Sequence, residues 1–215
     1  MEPFEDELRG SGLNRIAGLD EAGRGSLFGP VVAAAVVLDP IRELHGVDDS
    51  KRLSARRRRT CFLELVEQAA DWSVGIASAA EIDRLNVLQA TRLAMVRAVR
   101  GLRRRPQYLL IDGRLRLEME IPQTALVRGD ARCLSIAAAS IMAKVARDTL
   151  LIAYARRLPG YGLDRNKGYG TQEHRRALVR RGLTPLHRRS FRVQGDLPFL
   201  SMSHELEGSH GRATK

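Results

Sequence analysis

Blocks of hydrophobic positions alternate with polar ones along the chain in a way that predicts strands and helices in turn. RIAGL, from Arg15 to Leu19, and VVAAAVVL, from Val31 to Leu38, are short apolar runs bounded by Gly, Pro or Asp, so they predict two strands joined as a hairpin through GRGSLFGP. Ser54 is placed to N-cap a helix running to Ala70, with Leu63 and Val66 toward the core and Arg56 to Arg59 toward water. Trp72 to Ala77 predicts a third strand. From Glu81 to Leu102 the residues Leu85, Leu88, Leu93, Val96 and Val99 recur at helical spacing, and RRRP ends the helix. Gln107 to Ile111 and Thr124 to Val127 predict a fourth and a fifth strand. SIAAASIMAKVARDTLLIAYARRL, Ser135 to Leu158, reads as one long helix or two abutting ones, stopped by Pro159-Gly160. The glycine-rich YGLDRNKGYG, a helix at about Thr171 to Arg180 and TPLHRRSFR follow. The tail SHELEGSHGRATK lacks apolar content and is expected to be disordered.

Composition adds a partner and a compartment to this α/β pattern. The 215 residues, 44% hydrophobic and 28% charged, suit a single soluble domain with one good core. A net charge of +11 points to a polyanion, and nucleic acid is the first candidate. Arginine carries nearly all of that charge, since Lys51, Lys144, Lys167 and Lys215 are the only lysines. Cys61 and Cys133 are too few for a disulfide framework and lack metal-site spacing, so they are expected as buried thiols in a reducing compartment. The acidic start MEPFEDELRG has no apolar stretch, and no run reaches transmembrane length; the expected location is the cytoplasm.

Two strands end in aspartate, RIAGL at Asp20 and YLLI at Asp112. If they lie parallel and adjacent, two carboxylates meet at the carboxyl edge of the sheet, where open α/β sheets place ligands. With Glu21 beside them the crowded charges call for a cation, and oxygen ligands suit Mg²⁺ or Mn²⁺. A fourth carboxylate is sought on the long helical stretch. Asp130 and Asp148 are about five helical turns apart, roughly 27 Å, so only one can join. Asp130, just after the fifth strand, is at the right edge. Asp148, inside the helix, is expected to be solvated or ion-paired, and Asp48, Asp49 and Asp164 to be loop residues. GRGSLFG loosely fits a dinucleotide loop, but Pro30 and a β-branched run follow where a helix is required, which excludes that reading. Gly23 and Gly25 around Arg24 suggest a backbone that a ligand approaches closely; a tight turn accounts for them nearly as well.

Asp20-Glu21-Ala22-Gly23-Arg24-Gly25, Asp49-Ser50-Lys51, Ile111-Asp112-Gly113, Gly129-Asp130-Ala131 with Ser135 to Ser140, Lys167-Gly168-Tyr169-Gly170 with His174, and His187 to Phe191 together resemble the ordered motifs of bacterial ribonuclease HII. The resemblance implies the ribonuclease H-like fold, a mixed five-stranded sheet flanked by helices with a helical C-terminal part. It divides the chain into an N-terminal segment 1–14, a catalytic domain 15–192 and a tail 193–215. It implies an endonuclease acting on RNA–DNA hybrids and on ribonucleotides embedded in duplex DNA, with Asp20, Glu21, Asp112 and Asp130 as catalytic metal ligands for Mg²⁺ or Mn²⁺. Gly23, Arg24 and Gly25 would surround the ribose 2′-OH, and Tyr169 the neighbouring deoxyribose. Lys51, Lys144 and the arginines of the 187–192 segment are candidates for phosphate contacts. Ser26 and Phe28 stand where the family usually has Pro and Ala, and Arg132 and Cys133 where it commonly has Lys and Ser. A non-catalytic basic nucleic-acid binder and a two-metal DNA nuclease or integrase are the rival readings. Gln194-Gly195-Asp196-Leu197-Pro198-Phe199 resembles the peptides that dock on bacterial sliding clamps, with capping of the protein's own core as the alternative. A monomer is expected.

Overall fold

Apolar strands with no polar face need cover on both sides, and helices supply it here. The computed structural model describes residues 2–42 and 53–191. In chain order these form α1 (Phe4–Gly10), β1 (Ile16–Ala22), β2 (Val31–Val37), α2 (Ala55–Gln68), β3 (Asp71–Ala77), α3 (Ala79–Leu85), α4 (Val87–Arg100), β4 (Tyr108–Asp112), β5 (Gln123–Leu126), α5 (Gly129–Arg132), α6 (Leu134–Arg157), α7 (Leu163–Asn166) and α8 (Gln172–Arg181). Lys51, Asp48, Asp49, Arg192 and the segment Gln194 to Phe199 lie outside the described residues.

The five strands form one mixed sheet in the order β3-β2-β1-β4-β5. β1, β2 and β3 are antiparallel neighbours, whereas β1 pairs in parallel with β4, and β4 with β5. Alternate residues of β1 and β2 divide between two cores. Ala17, Leu19, Ala33 and Ala35 meet Ala90, Ala94, Met95 and Ala98 of α4 on one face. Ala34 and Val36 meet Ala137 to Ala143 of α6 and Cys61 and Leu65 of α2 on the other. The approach of α6 is so close that a Cβ on Gly18 would stand 2.1 Å from the Ser135 carbonyl carbon, which is why β1 carries glycine there.

Three expectations need correction. The segment 81–102 is two helices, because Asn86 takes a positive φ of 67° and turns its Oδ1 to the amides of Leu88 and Gln89 at 3.0 and 3.1 Å, starting a new helix. The face α4 buries is the small-residue one. Of the five residues the periodicity selected, only Val99 is buried and Leu88 is exposed, because alanines let the helix lie close against Gly75 of β3. On α2 the buried stripe is Cys61 and Leu65, while Leu63 and Val66 are exposed. Arg58 departs from the water-facing run: it is half-buried and donates to the Leu53 carbonyl.

Two additions complete the scaffold. α1 packs Phe4 and Leu8 near Ile16, Leu110 and Ile136, and its buried Glu5 accepts the Ser135 amide at 2.8 Å, supplying an acceptor to the first turn of α6 that Cys133 does not provide. Burial and the Glu5 charge push the Cys133 thiol up to about 12, so it is an inert core thiol. At the other end α7, α8 and the end of α6 enclose Leu151, Tyr161, Leu163, Ala177 and Leu178, and the β1–β2 turn inserts Phe28 into this cluster.

Candidate active site

The β1–β4 ladder brings Leu19 opposite Ile111, so Asp20 and Asp112 follow as neighbours at the sheet's carboxyl edge. Asp20 is 5% exposed. Burial, then the charges of Glu21 and Asp112, push its carboxyl well above the usual range, against hydrogen bonds from the Ser140 hydroxyl and the Glu21 amide. Asp112 Oδ1 accepts the Gly129 amide at 2.7 Å, and Glu21 pairs with Arg24 at 3.2 Å. A cleft of about 410 Å³ is lined by Asp20, Glu21, Ala22, Gly23, Arg24, Gly25, Arg58, Asp112, Ser140, Lys144 and Tyr169. Asp130 is buried on α5, next to the Gly129 that anchors Asp112, and is not part of this lining. Among the described residues no three His, Cys, Asp or Glu side chains form a metal-binding group; the carboxylates are turned to the donors just named.

Opposite the carboxylates, two buried arginines hold the turn from within. Arg147 donates to the Pro30 carbonyl (3.1 Å), the Phe28 carbonyl (3.2 Å), Ser26 Oγ (2.5 Å) and the Lys167 carbonyl (3.0 Å). Arg188 donates to the carbonyls of Gly29, Arg24 and Gly23 at 2.9, 2.8 and 2.7 Å. Burial and the neighbouring Arg147 lower the Arg188 guanidinium to about 9, which leaves it charged at neutral pH. The expectation that Arg188 contacts phosphate is therefore corrected, since it is 3% exposed and committed to the turn. Gly23 has φ of 96°, and a Cβ on it would stand 2.0 Å from Arg147 Nε; its bareness serves this packing. Gly25 has nothing within 4 Å of its Cβ position, so the protein's own packing does not require glycine there.

Tyr169 is 39% exposed and its ring lies 5.6 Å from the Arg147 guanidinium. Its carbonyl is held by a histidine relay. His187 Nδ1 accepts the Thr184 amide at 2.9 Å, which leaves its proton on Nε2 to bridge 3.2 Å to His174 Nε2. His174 then donates through Nδ1 to the Tyr169 carbonyl at 3.0 Å. Burial and His174 lower His187 to about 4, and burial lowers His174 as well. Lys144 lines the cleft while paired with Asp148 at 2.8 Å, so Asp148 is an ion-paired helix residue as its sequence position suggested. Sequence reading missed Arg58 and Ser140 as cleft residues. The signal for Ser140 was present, one polar position in an alanine-rich helix; nothing local distinguishes Arg58 from its arginine neighbours.

With this geometry in place, the sequence model described as Ribonuclease HII matches residues 17–194. The chain belongs to the ribonuclease HII family. It is 53% identical over 189 residues to Ribonuclease HII of Syntrophotalea carbinolica, covering 88% of this chain and 90% of that one, and 53% identical to Ribonuclease HII of Paracoccus denitrificans over 87% and 90%. Among solved structures it resembles the ribonuclease H2 of Pyrococcus horikoshii OT3, with TM-score 0.71, 28% identity and coverage of 82% and 93%. It also shares its fold with the RNase HII of Archaeoglobus fulgidus solved as a PCNA complex, with TM-score 0.70, 22% identity and coverage of 86% and 98%. The chain is thus a ribonuclease H, a hydrolytic endonuclease on the ribonuclease H-like fold, and the non-catalytic reading falls. No helix among the described residues is long and apolar enough to cross a membrane.

The donor set of the cleft fits a hard divalent cation. Asp20, Glu21 and Asp112 line one cleft, and burial, followed by the Glu21 and Asp112 charges, penalises the ionised Asp20, a penalty that a bound cation would offset.

Proposed function

We propose that the chain cleaves the RNA strand of RNA–DNA hybrids and the 5′ side of ribonucleotides embedded in duplex DNA, leaving 5′-phosphate and 3′-hydroxyl ends. What carries this reading is the juxtaposition in one cleft of Asp20, Glu21 and Asp112 with an arginine between glycines and a half-exposed tyrosine. Asp20, Glu21 and Asp112, with Asp130 from α5, are the proposed ligands of one or two divalent ions, Mg²⁺ or Mn²⁺. Such a cation, when bound, supplies Lewis acidity toward the scissile phosphate and offsets the carboxylate charges.

The chain's own contribution is position and discrimination. Gly23, Arg24 and Gly25 surround the ribose 2′-OH, the group that separates RNA from DNA, with Gly25 open to a sugar edge. The Tyr169 ring packs against the deoxyribose on the 3′ side. Lys144 and Arg58 on the cleft wall take phosphate oxygens and hold the strand in register without reading its sequence; Lys51 joins them by resemblance. The unit formed by residues 15–192 acts as a monomer, and Gln194 to Phe199 is the proposed sliding-clamp sequence, with Leu197 and Phe199 as its apolar anchors.

The test incubates the protein with Mg²⁺ or Mn²⁺ and three substrates: a DNA duplex carrying one ribonucleotide, an RNA–DNA hybrid and an all-DNA duplex. Cleavage of the first two alone is expected. Cleavage of all-DNA duplex at a comparable rate supports the DNA nuclease alternative, and an inert protein ends the proposal.

A further inference from the structure

The two loops that face the cleft from opposite sides of the chain, the turn at 23–30 and the loop at 167–170, are joined beneath the surface by one side chain. Arg147 has no exposure to solvent. Its guanidinium reaches Ser26, Phe28 and Pro30 in the turn and the Lys167 carbonyl in the loop, and it lies under the Tyr169 ring. Backbone bonds run along the same seam, from the amides of Leu27 and Phe28 to the Gly168 carbonyl at 2.8 and 3.2 Å. Ser26 donates on to the Gly23 carbonyl at 3.1 Å, so the joint continues into the glycines around Arg24.

The geometry points to Arg147, assisted by Ser26, as a positioning residue that sets the separation between the Gly23–Gly25 turn and Tyr169 and so sets preference for a ribonucleotide followed by deoxyribonucleotide. This inference rests on the proposed roles of that turn and of Tyr169. Physically, a planar fork with fixed donor directions holds four acceptors on two loops at one spacing, whereas a lysine offers a single flexible head. Displacement of a positioned group by about 1 Å is enough to cost on the order of a hundredfold in rate. Because Arg147 is not itself part of the cleft lining and meets it only from behind, at Gly23 and Tyr169, its effect passes through the loops.

The experiment compares kcat/KM on a duplex with one embedded ribonucleotide against kcat/KM on a uniform RNA–DNA hybrid, for wild type, Arg147→Lys, Ser26→Ala, Tyr169→Ala and the Arg147→Lys/Tyr169→Ala pair. Amide exchange at Leu27, Phe28 and Tyr169 is followed by NMR alongside. A merely structural role lowers the folded fraction and scales both substrates alike, leaving their ratio fixed. The expected result is a fall in the ratio of roughly tenfold for Arg147→Lys, a smaller fall for Ser26→Ala, and no further fall when Arg147→Lys is added to Tyr169→Ala. Exchange should rise in both loops together. Ser26→Ala serves if Arg147→Lys fails to fold. An unchanged ratio in the folded variants, a fully additive double variant, or exchange that rises in one loop only overturns the inference. A wild type that cuts neither substrate while the loops still open together overturns the functional reading and leaves the mechanical joint standing.

Discussion

The strand edge that lines the cleft and the arginines buried behind its loop wall handle buried charge in opposite ways. On the strand side Asp20, Glu21 and Asp112 lie together, and burial, then the charges of its two neighbours, holds the Asp20 carboxyl well above the usual carboxylate range. On the loop side Arg147 and Arg188 are just as deeply buried, but each donor finds a carbonyl or hydroxyl at hydrogen-bond distance. The carboxylate wall is only partly compensated, by Arg24 at Glu21, the Gly129 amide at Asp112 and the Ser140 hydroxyl at Asp20, while the arginine wall is satisfied within the protein. On the proposed function, chemistry belongs to the first and shape to the second. Burial shifts both kinds of ion, but the fully hydrogen-bonded Arg188, lowered to about 9, still holds its charge at neutral pH.

This contrast predicts that removing a charge has opposite consequences on the two walls. Asp20→Asn or Asp112→Asn should lower cleavage by on the order of a thousandfold, leave duplex binding nearly intact, and leave stability without metal unchanged or higher, because repulsion is relieved. Saturating Mg²⁺ or Mn²⁺ should raise the wild-type melting temperature through linkage, about 2.7 kcal/mol at a hundred times Kd, and do little for either variant. Substantial turnover by the variants, measured with purified folded protein, would show that the site is misassigned.

Arg188→Met should cost about 3 kcal/mol of unfolding free energy in a urea titration, since three carbonyls of the turn lose their donor. An unaltered midpoint would mean that the turn is held without it.

Acid separates the walls by sign. Asp20 has a folded pKa above its unfolded one, so the native state takes up that proton first and this carboxyl favours folding increasingly as pH falls through its raised value. His187 and His174 have folded values below 6.5, with His187 at about 4, so between these limits the unfolded chain binds the protons first. The stability they contribute is full above about pH 6.5 and declines toward pH 4. A His187→Gln variant should therefore lose less stability than wild type between pH 6.5 and 5; parallel denaturation curves across that window would exclude the neutral relay.

The smallest effect concerns the rim. Lys144→Ala should weaken hybrid and all-DNA duplex binding alike by a factor of a few and reduce the salt slope by about one, because its ammonium is already shared with Asp148. A loss confined to ribonucleotide-containing duplex would place Lys144 in discrimination instead.

Local pattern was sufficient for everything that depends on neighbours in the chain. Apolar runs ending at Asp20 and Asp112, Ser54 as the cap of α2, and the alanine-rich stretch of α6 could be read directly, because strand and helix periodicity follow from which side chains must leave water. From the two aspartates alone the parallel pairing and the acidic edge could be expected. The break at Asn86 was hidden because the apolar spacing runs through it, and side-chain competition for the backbone is invisible to periodicity. Which of the many arginines are desolvated was a tertiary matter altogether: Arg147 and Arg188 look like their exposed neighbours in the chain, and all their acceptors except the Lys167 carbonyl lie more than a hundred residues away. The same distance separates Glu5 from the α6 amide it caps. Sequence periodicity assigns residues to a buried or a wet face, but a buried charge is tolerable only where folding delivers its partners, and that is decided by how distant loops meet.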